Sequence, residues 1–214
     1  MNIFDKYSRE YDRWYDKYPY VFRNEVLALE KVLPLEGRGI EIGVGTGRFA
    51  SALKIKNGID PSLSMLKLAR KRGVSVKRAF GEKLPYKDSS FDYAVLVFTL
   101  CFLNDPTKAF GELKRILKPS GSLIVGFIDK NSILGKKYSA KKSGYYKKAK
   151  FYTVRQVKVF MKKAGFSVTA VKQTLFKNPK NIEKIENPLS GHGKGGFVVI
   201  KGVRNQSAIK REYE

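Results

Sequence analysis

The run Gly39-Ile-Glu-Ile-Gly-Val-Gly-Thr-Gly47 constrains the fold of this chain more than any other stretch. It joins a short apolar strand to a turn with glycine at three alternating positions, and an acid, Glu41, stands two residues ahead of the first. Gly43, Gly45 and Gly47 can take backbone angles closed to other residues, and without side chains they let the main chain approach a ligand closely. Residues 48–53, Arg-Phe-Ala-Ser-Ala-Leu, then read as a helix start whose unpaired N–H groups face the same ligand. This is the layout of a cofactor-binding loop. The dinucleotide fingerprint places its third glycine three residues after the second, and that position holds Arg48, so the spacing is off for NAD. The Gly-Lys-Ser/Thr ending of a phosphate-binding P-loop is missing too, and no nucleoside triphosphate is implied.

Three further segments follow in order. Gly58-Ile-Asp60-Pro-Ser62 closes a second apolar strand with an acid and precedes a helical pattern of Leu63, Met65, Leu66 and Leu68. Residues 81–92, Gly-Glu-Lys-Leu-Pro-Tyr-Lys-Asp-Ser-Ser-Phe-Asp, lead into another strand, and residues 109–125 read as helix, turn and strand. Together with Glu41-x-Gly43-x-Gly45-x-Gly47, these segments resemble the class I S-adenosylmethionine-dependent methyltransferases over residues 37–128. The resemblance is to the small-molecule branch of that family, the ubiquinone and menaquinone biosynthesis type (methyltransferase type 11). It implies a methyltransferase with S-adenosyl-L-methionine as cofactor. The fold it implies is Rossmann-like α/β, a doubly wound, mostly parallel seven-stranded sheet with an antiparallel final strand and helices on both faces.

Length and pattern agree with one domain over residues 1–204, since 214 residues suffice for one sizeable core and not for two ordinary ones. Residues 1–36 read as an N-terminal helical cap, two aromatic, amphipathic helices broken near Pro19, the second with Phe22, Val26 and Leu29 on one face. Strands are expected at residues 39–42, up to Asp60, at about 74–79, at 93 to about 100 and at 123–128. A helix over residues 153–164 closes at Gly165, and two final strands, 166–175 and 196–203, flank a connection containing Pro, Asn and Gly. Residues 205–214 are polar and read as a frayed tail. With no apolar run of transmembrane length and no signal-peptide pattern, a cytoplasmic protein without a membrane span is expected. Cys101 is the only cysteine, which excludes an internal disulfide and a cysteine-cluster metal site.

Charge is the unusual part of the composition. Lys and Arg number 43 against 19 Asp and Glu, for a balance of +24, which attracts polyanions whether or not they are substrates. Residues 135–150 carry seven lysines, three tyrosines and no acid. That composition suits stacking plus phosphate contact, and equally a solvated, mobile loop. Within the expected fold, residues 130–152 form a basic, lid-like insertion after the fifth strand.

The resemblance assigns roles to matching positions. Gly43, Val44, Gly45 and Gly47 would border the methionine portion of the cofactor, with Glu41 ordering the loop through its N–H groups or reaching the cofactor's amino end. Asp60 would accept hydrogen bonds from the ribose hydroxyls, and Pro61, Ser62 and Met65 would border the adenine. Many relatives carry an aspartate two residues before Glu82; here Phe80 stands there, so stacking by Phe80, edge contacts from Gly81 and Glu82 and a floor from Leu84 are expected instead. Phe98 and Thr99 would lie under the sulfonium.

Methyl transfer by direct displacement asks for alignment and exclusion of water rather than a covalent intermediate, and no catalytic constellation is visible. Tyr11 is a weak candidate. His192, the single histidine, suits a general base or merely a glycine-rich turn. Cys101 either faces the acceptor or packs as a small apolar residue. The segment Thr99-Leu-Cys-Phe-Leu-Asn104 lacks the Asn/Asp-Pro-Pro-aromatic run of exocyclic base methylation, and Cys101 lacks the Pro-Cys pairing of pyrimidine methylation. A small-molecule acceptor is therefore expected, its pocket built from Tyr7, Tyr11, Trp14, Tyr15 and residues 132–152. The alternative is an RNA-directed or RNA-binding protein using the basic segment.

Overall fold

The computed structural model describes residues 3–141 and 144–205. Strands β1 (Gly39–Ile42), β2 (Asn57–Asp60), β3 (Ser75–Arg78), β4 (Phe91–Val97), β5 (Leu117–Ile128), β6 (Phe166–Thr174), β7 (Leu189–Ser190) and β8 (Phe197–Arg204) form one sheet in the order β3-β2-β1-β4-β5-β8-β6-β7. The first five are mutually parallel, and β8 inserts antiparallel between β5 and β6. The expected Rossmann-like, doubly wound sheet with its antiparallel final strand is thus present. It has eight strands rather than seven, because the connection after β6 folds back and pairs Leu189 and Ser190 with the β6 edge.

Helices α1 (Ile3–Lys17), α2 (Pro19–Glu30), α3 (Arg48–Ala52), α4 (Leu63–Lys71), α5 (Pro106–Ile116), α6 (Ile133–Ser139) and α7 (Val154–Lys163) surround the sheet. On one face Val26, Leu29, Phe49 and Leu66 pack against Val95, Val97 and Val199; on the other Phe110, Leu113, Val157 and Met161 pack against Leu96, Val198 and Ile200. Cover on both faces is why β1 and most of β4 are apolar in succession instead of alternating. Helix starts follow local chemistry. Pro19 opens α2, where its fixed φ suits the first turn and its missing N–H costs nothing. Ser62 and Asp105 cap α4 and α5 through their side-chain oxygens, and Thr153 forms a reciprocal capping box with Gln156 on α7.

Three boundaries differ from the sequence expectation. β4 ends at Val97 instead of running to about Leu100, because Phe98 turns the chain with φ +56 and Leu100–Phe102 coil into a 3-10 turn. β5 begins at Leu117 instead of Leu123, because Leu117 pairs with Phe91 before the register slips between Phe91 and Tyr93. The basic insertion is not a plain loop: it contains α6 and a 3-10 turn over Gly144–Lys148, and the Lys150 N–H donates to the Cys101 carbonyl at 2.8 Å. Asn205 is tied down through the Gly165 carbonyl and the Ser167 hydroxyl, while the rest of the expected tail lies outside the described residues. No helix among the described residues is long and apolar enough to cross a membrane.

Candidate active site

The carboxyl ends of the parallel strands open onto one cavity of about 810 Å³, lined by Ile42 and Gly43 after β1, Asp60 at the end of β2, Val97 to Thr99 after β4 and Ile128 at the end of β5. This is where an open α/β sheet leaves a crevice. Helices α1 and α2 and the basic insertion close it from above, contributing Trp14, Tyr15, Val21, Glu25, Leu134 and Tyr138.

The glycine loop shapes one wall. Gly43 has φ +70, and a Cβ there would run into the Thr99 side chain, whose hydroxyl donates to the Ile42 carbonyl at 2.9 Å. Gly45, at φ +52, has nothing within 4 Å of where a Cβ would stand, so its backbone faces open space in the cavity wall. Its N–H donates to Asp60 Oδ2 at 3.0 Å, and the Ser62 N–H donates to Asp60 Oδ1 at 2.8 Å. Each carboxylate oxygen keeps a further lone pair for a ligand. Burial pushes the Asp60 carboxyl up to about 6, against the opposing pull of those two N–H groups.

Several expected cofactor contacts do not line the cavity. Val44 is turned back, its side chain packed on Gly58. Gly47 has φ +80 ahead of α3, and a Cβ there would stand 2.8 Å from Ala69 Cα, so its bareness serves helix packing. Ser62 is buried as the α4 cap, its hydroxyl bonded to Asp5. Leu84 lies in the core beyond the cavity wall, with its N–H on Glu112 Oε2 at 2.7 Å. Glu41 is buried behind the loop. Its carboxyl is raised well above the ordinary range by burial, opposed by the Ala50 N–H of α3 and reinforced by the Asp60 charge. Of its two expected roles, the arrangement supports ordering the backbone that follows the loop.

At one end of the cavity lie Pro61, Met65, Arg78, Phe80, Gly81 and Glu82. Phe80 is 58% exposed, a ring with a free face. Glu82 is committed to protein: its Oε1 accepts from the Asn104 N–H at 2.8 Å, tethering the start of α5. At the other end lie Tyr11, Trp14 and Tyr15 of α1, with Phe98 wedged between Phe49 and Phe197 at ring distances of 5.8 and 5.1 Å. Phe98 is one of the few non-glycine residues at positive φ, and such backbone strain clusters at ligand sites. Tyr7, expected in this wall, is not among the lining residues, whereas Tyr138, Tyr146 and Phe151 of the insertion are.

The candidate His192 sits exposed on the turn after β7 and is not among the residues that line the cavity. Cys101 does line the cavity, and burial pushes its thiol up to about 12, so it stays protonated and unreactive as a nucleophile at neutral pH. Sequence reasoning missed Glu25, Arg78 and Asp5 as lining residues. For Glu25 one signal existed: it falls one helical turn after Val21, on a face that also carries buried residues.

Helix α1 is latched to the glycine loop. Asp12 accepts from Arg48 Nε and Arg72 Nη2, both at 2.8 Å, and Arg72 Nη1 donates to the Thr46 carbonyl at 2.8 Å. Burial pushes the Asp12 carboxyl up, but bonds from Arg48, Thr46 and Arg72 outweigh it and hold the group below its ordinary value.

Comparison with known proteins agrees with this geometry. Residues 40–125 match the family described as Methyltransferase domain. A crystal structure from Thermotoga maritima, described as an SAM-dependent methyltransferase and possible histamine N-methyltransferase, is 48% identical, covers 95% of this chain and 98% of that one, and superposes with a TM-score of 0.92. An uncharacterised protein of Methanocaldococcus jannaschii is 46% identical over 94% of this chain and 98% of its own length. A demethylmenaquinone methyltransferase of Renibacterium salmoninarum is 35% identical over 41% of this chain and 40% of its own.

Proposed function

Since the chain belongs to the S-adenosylmethionine-dependent methyltransferases, with S-adenosylmethionine as its cofactor, we propose that it methylates a small-molecule acceptor held in the far half of the same cavity. The observation that carries this reading is the continuity of the cavity from Gly43, Gly45 and Asp60 to a chamber walled by Tyr11, Trp14, Tyr15 and Tyr138. Its volume of about 810 Å³ falls within the range of small-molecule sites.

The residues present fit the cofactor. The open space before the Gly45 backbone admits a close-lying chain, the spare lone pairs of Asp60 suit two vicinal hydroxyls, and the free face of Phe80 suits a flat base. When bound, the cofactor supplies a methyl carbon on a positively charged sulfur, open to in-line attack by an acceptor electron pair. The protein's part is to hold and enclose. Asp60, the Gly43–Gly45 backbone and Phe98 hold one reactant, the aromatic residues of α1 hold the other, and α1, α2 and the insertion keep water out.

The RNA-directed reading has weaker support. Tyr138 and Tyr146 of the basic insertion, which would have to stack on bases, instead face the cavity and lie under Lys141 at 5.0 and 4.7 Å. Demethylmenaquinone methyltransferases and a possible histamine N-methyltransferase among the relatives point the same way. Calorimetry with S-adenosylhomocysteine tests the cofactor half. Asp60→Ala removes two hydrogen bonds to a charged acceptor and should weaken binding by about 2 to 4 kcal/mol; unchanged affinity takes Asp60 out of the site.

A further inference from the structure

Among the acids that line the cavity, Glu25 is buried with a carboxylate oxygen that no described residue satisfies. It lines the cavity from α2, one turn after Val21, and is 2% exposed. Its Oε2 has no hydrogen-bond partner among the described residues. The same cavity is lined by the rings of Tyr11, Trp14 and Tyr15 from α1 and of Tyr138 from the insertion. No lysine or arginine of α1, β6 or β8, the elements packed on α2, forms an ion pair with it among the described residues. Lys148 and Lys150 are exposed where they line the cavity, and Glu186 approaches α2 through Asn24, which accepts its backbone N–H.

An acid in such a place is costly to the fold. A buried carboxyl lacking a donor loses its hydration without compensation, and a hydrophobic residue of similar size would stabilise α2 better. Retaining it makes sense if the missing donor arrives with a ligand. The cavity around it is aromatic, and ring faces attract cations. A neutral apolar ligand would leave the acid unsatisfied.

We propose that Glu25 anchors the methyl acceptor, and that the acceptor is an amine carrying an aromatic or aliphatic body, its nitrogen bonded to the Glu25 carboxyl and its apolar part against Trp14 and Tyr15. This rests on the small-molecule reading above and specifies its substrate class. Burial alone raises the Glu25 carboxyl well above its ordinary range, which favours its protonated form until a cation arrives. An arriving ammonium displaces that proton to solvent. The exchange adds no net charge to a protein already at +24.

The single tryptophan, Trp14, lies in the wall of this chamber and reports on it directly. Its fluorescence is followed while the protein is titrated with phenethylamine or with phenethyl alcohol, the neutral analogue of the same shape, without cofactor. The amine should bind about tenfold or more tightly than the alcohol, as a charge-assisted bond provides. Its affinity should rise with pH below the amine's own titration, and calorimetry in two buffers of different ionisation enthalpy should show one proton released, a readout that needs no variant. Glu25→Gln should lose both the preference and the proton release while binding S-adenosylhomocysteine as the parent does. Equal affinity for amine and alcohol, absence of amine binding at millimolar concentration, or a preference that survives in Glu25→Gln each overturns the proposal. Failure of the parent to bind S-adenosylhomocysteine would instead strike the methyltransferase reading, so the two failures are told apart.

Discussion

On the proposed assignment, Asp60 should couple cofactor binding to pH. Its carboxyl titrates at about 6 because burial opposes ionisation, and only the ionised form accepts from two hydroxyls at once. A carboxyl raised in this way loses its charged form as pH falls through about 6. Affinity for S-adenosylhomocysteine should therefore be flat above about pH 7 and drop by up to tenfold per unit below about 6, and Asp60→Asn should abolish that drop. A second expectation concerns Phe80. Replacing it with aspartate exchanges the face of a ring for a carboxylate, and the lost apolar contact, up to about 2 kcal/mol, should outweigh any gained bond to adenine. Tighter binding by Phe80→Asp, measured by calorimetry, would mean the ring does not touch the base.

Residue roles were legible only where the backbone dictates them. Gly45 and Asp60 reach the cavity because a glycine turn and a strand end must lie at the sheet's carboxyl edge. Val44, Gly47 and Ser62 share the same stretches of chain but turn toward Gly58, Ala69 and Asp5, and the Leu84 side chain is buried in the core. A linear motif says which loop meets a ligand and leaves the facing of each side chain to packing. Glu25 escaped notice because an acid on an amphipathic helix reads as solvent-facing, and only the tertiary packing of α2 buries it.

At the scale of elements, α1 acts as a latch on the loop it covers. Asp12 joins it to Arg48 of α3 and to Arg72, and these side chains are mostly buried, exposed by 15, 16 and 27%. Asp12→Ala leaves two guanidinium groups short of a partner and should lower stability by about 1 to 3 kcal/mol. It should also weaken S-adenosylhomocysteine binding, because Arg72 holds the Thr46 carbonyl of the glycine loop. Thermal unfolding and calorimetry check both effects, and a variant unchanged in both removes the latch. The helices of this cap were readable from Pro19 and the aromatic periodicity, but their docking was not, since Asp12 and Arg72 lie 60 residues apart. The helical turns within the basic insertion were not legible for a related reason: Leu134, Tyr138 and Tyr146 lie in the cavity wall, which no local pattern records.

At the scale of the whole molecule, the +24 balance and the cavity are separate properties. The charge should attract polyanions without sequence preference, with affinity that falls steeply as salt rises and does not change with bound S-adenosylhomocysteine. Filter binding of a random oligonucleotide between 50 mM and 200 mM salt, a range over which phosphate contacts cost orders of magnitude in affinity, checks this. Salt-resistant, cofactor-dependent binding of one RNA would revive the nucleic-acid reading. The parallel part of the sheet was legible because its strands alternate with helices, whereas the two-residue β7 carries no strand pattern of its own.

The central claim is that one cavity holds cofactor and acceptor side by side. A crystal structure with S-adenosylhomocysteine tests it most directly. The account predicts the ribose hydroxyls on Asp60, the adenine against Phe80 and the sulfur beside Phe98 and Thr99, leaving a chamber free between Trp14 and Glu25. The product bound away from Asp60, or filling the space before Glu25, would contradict it.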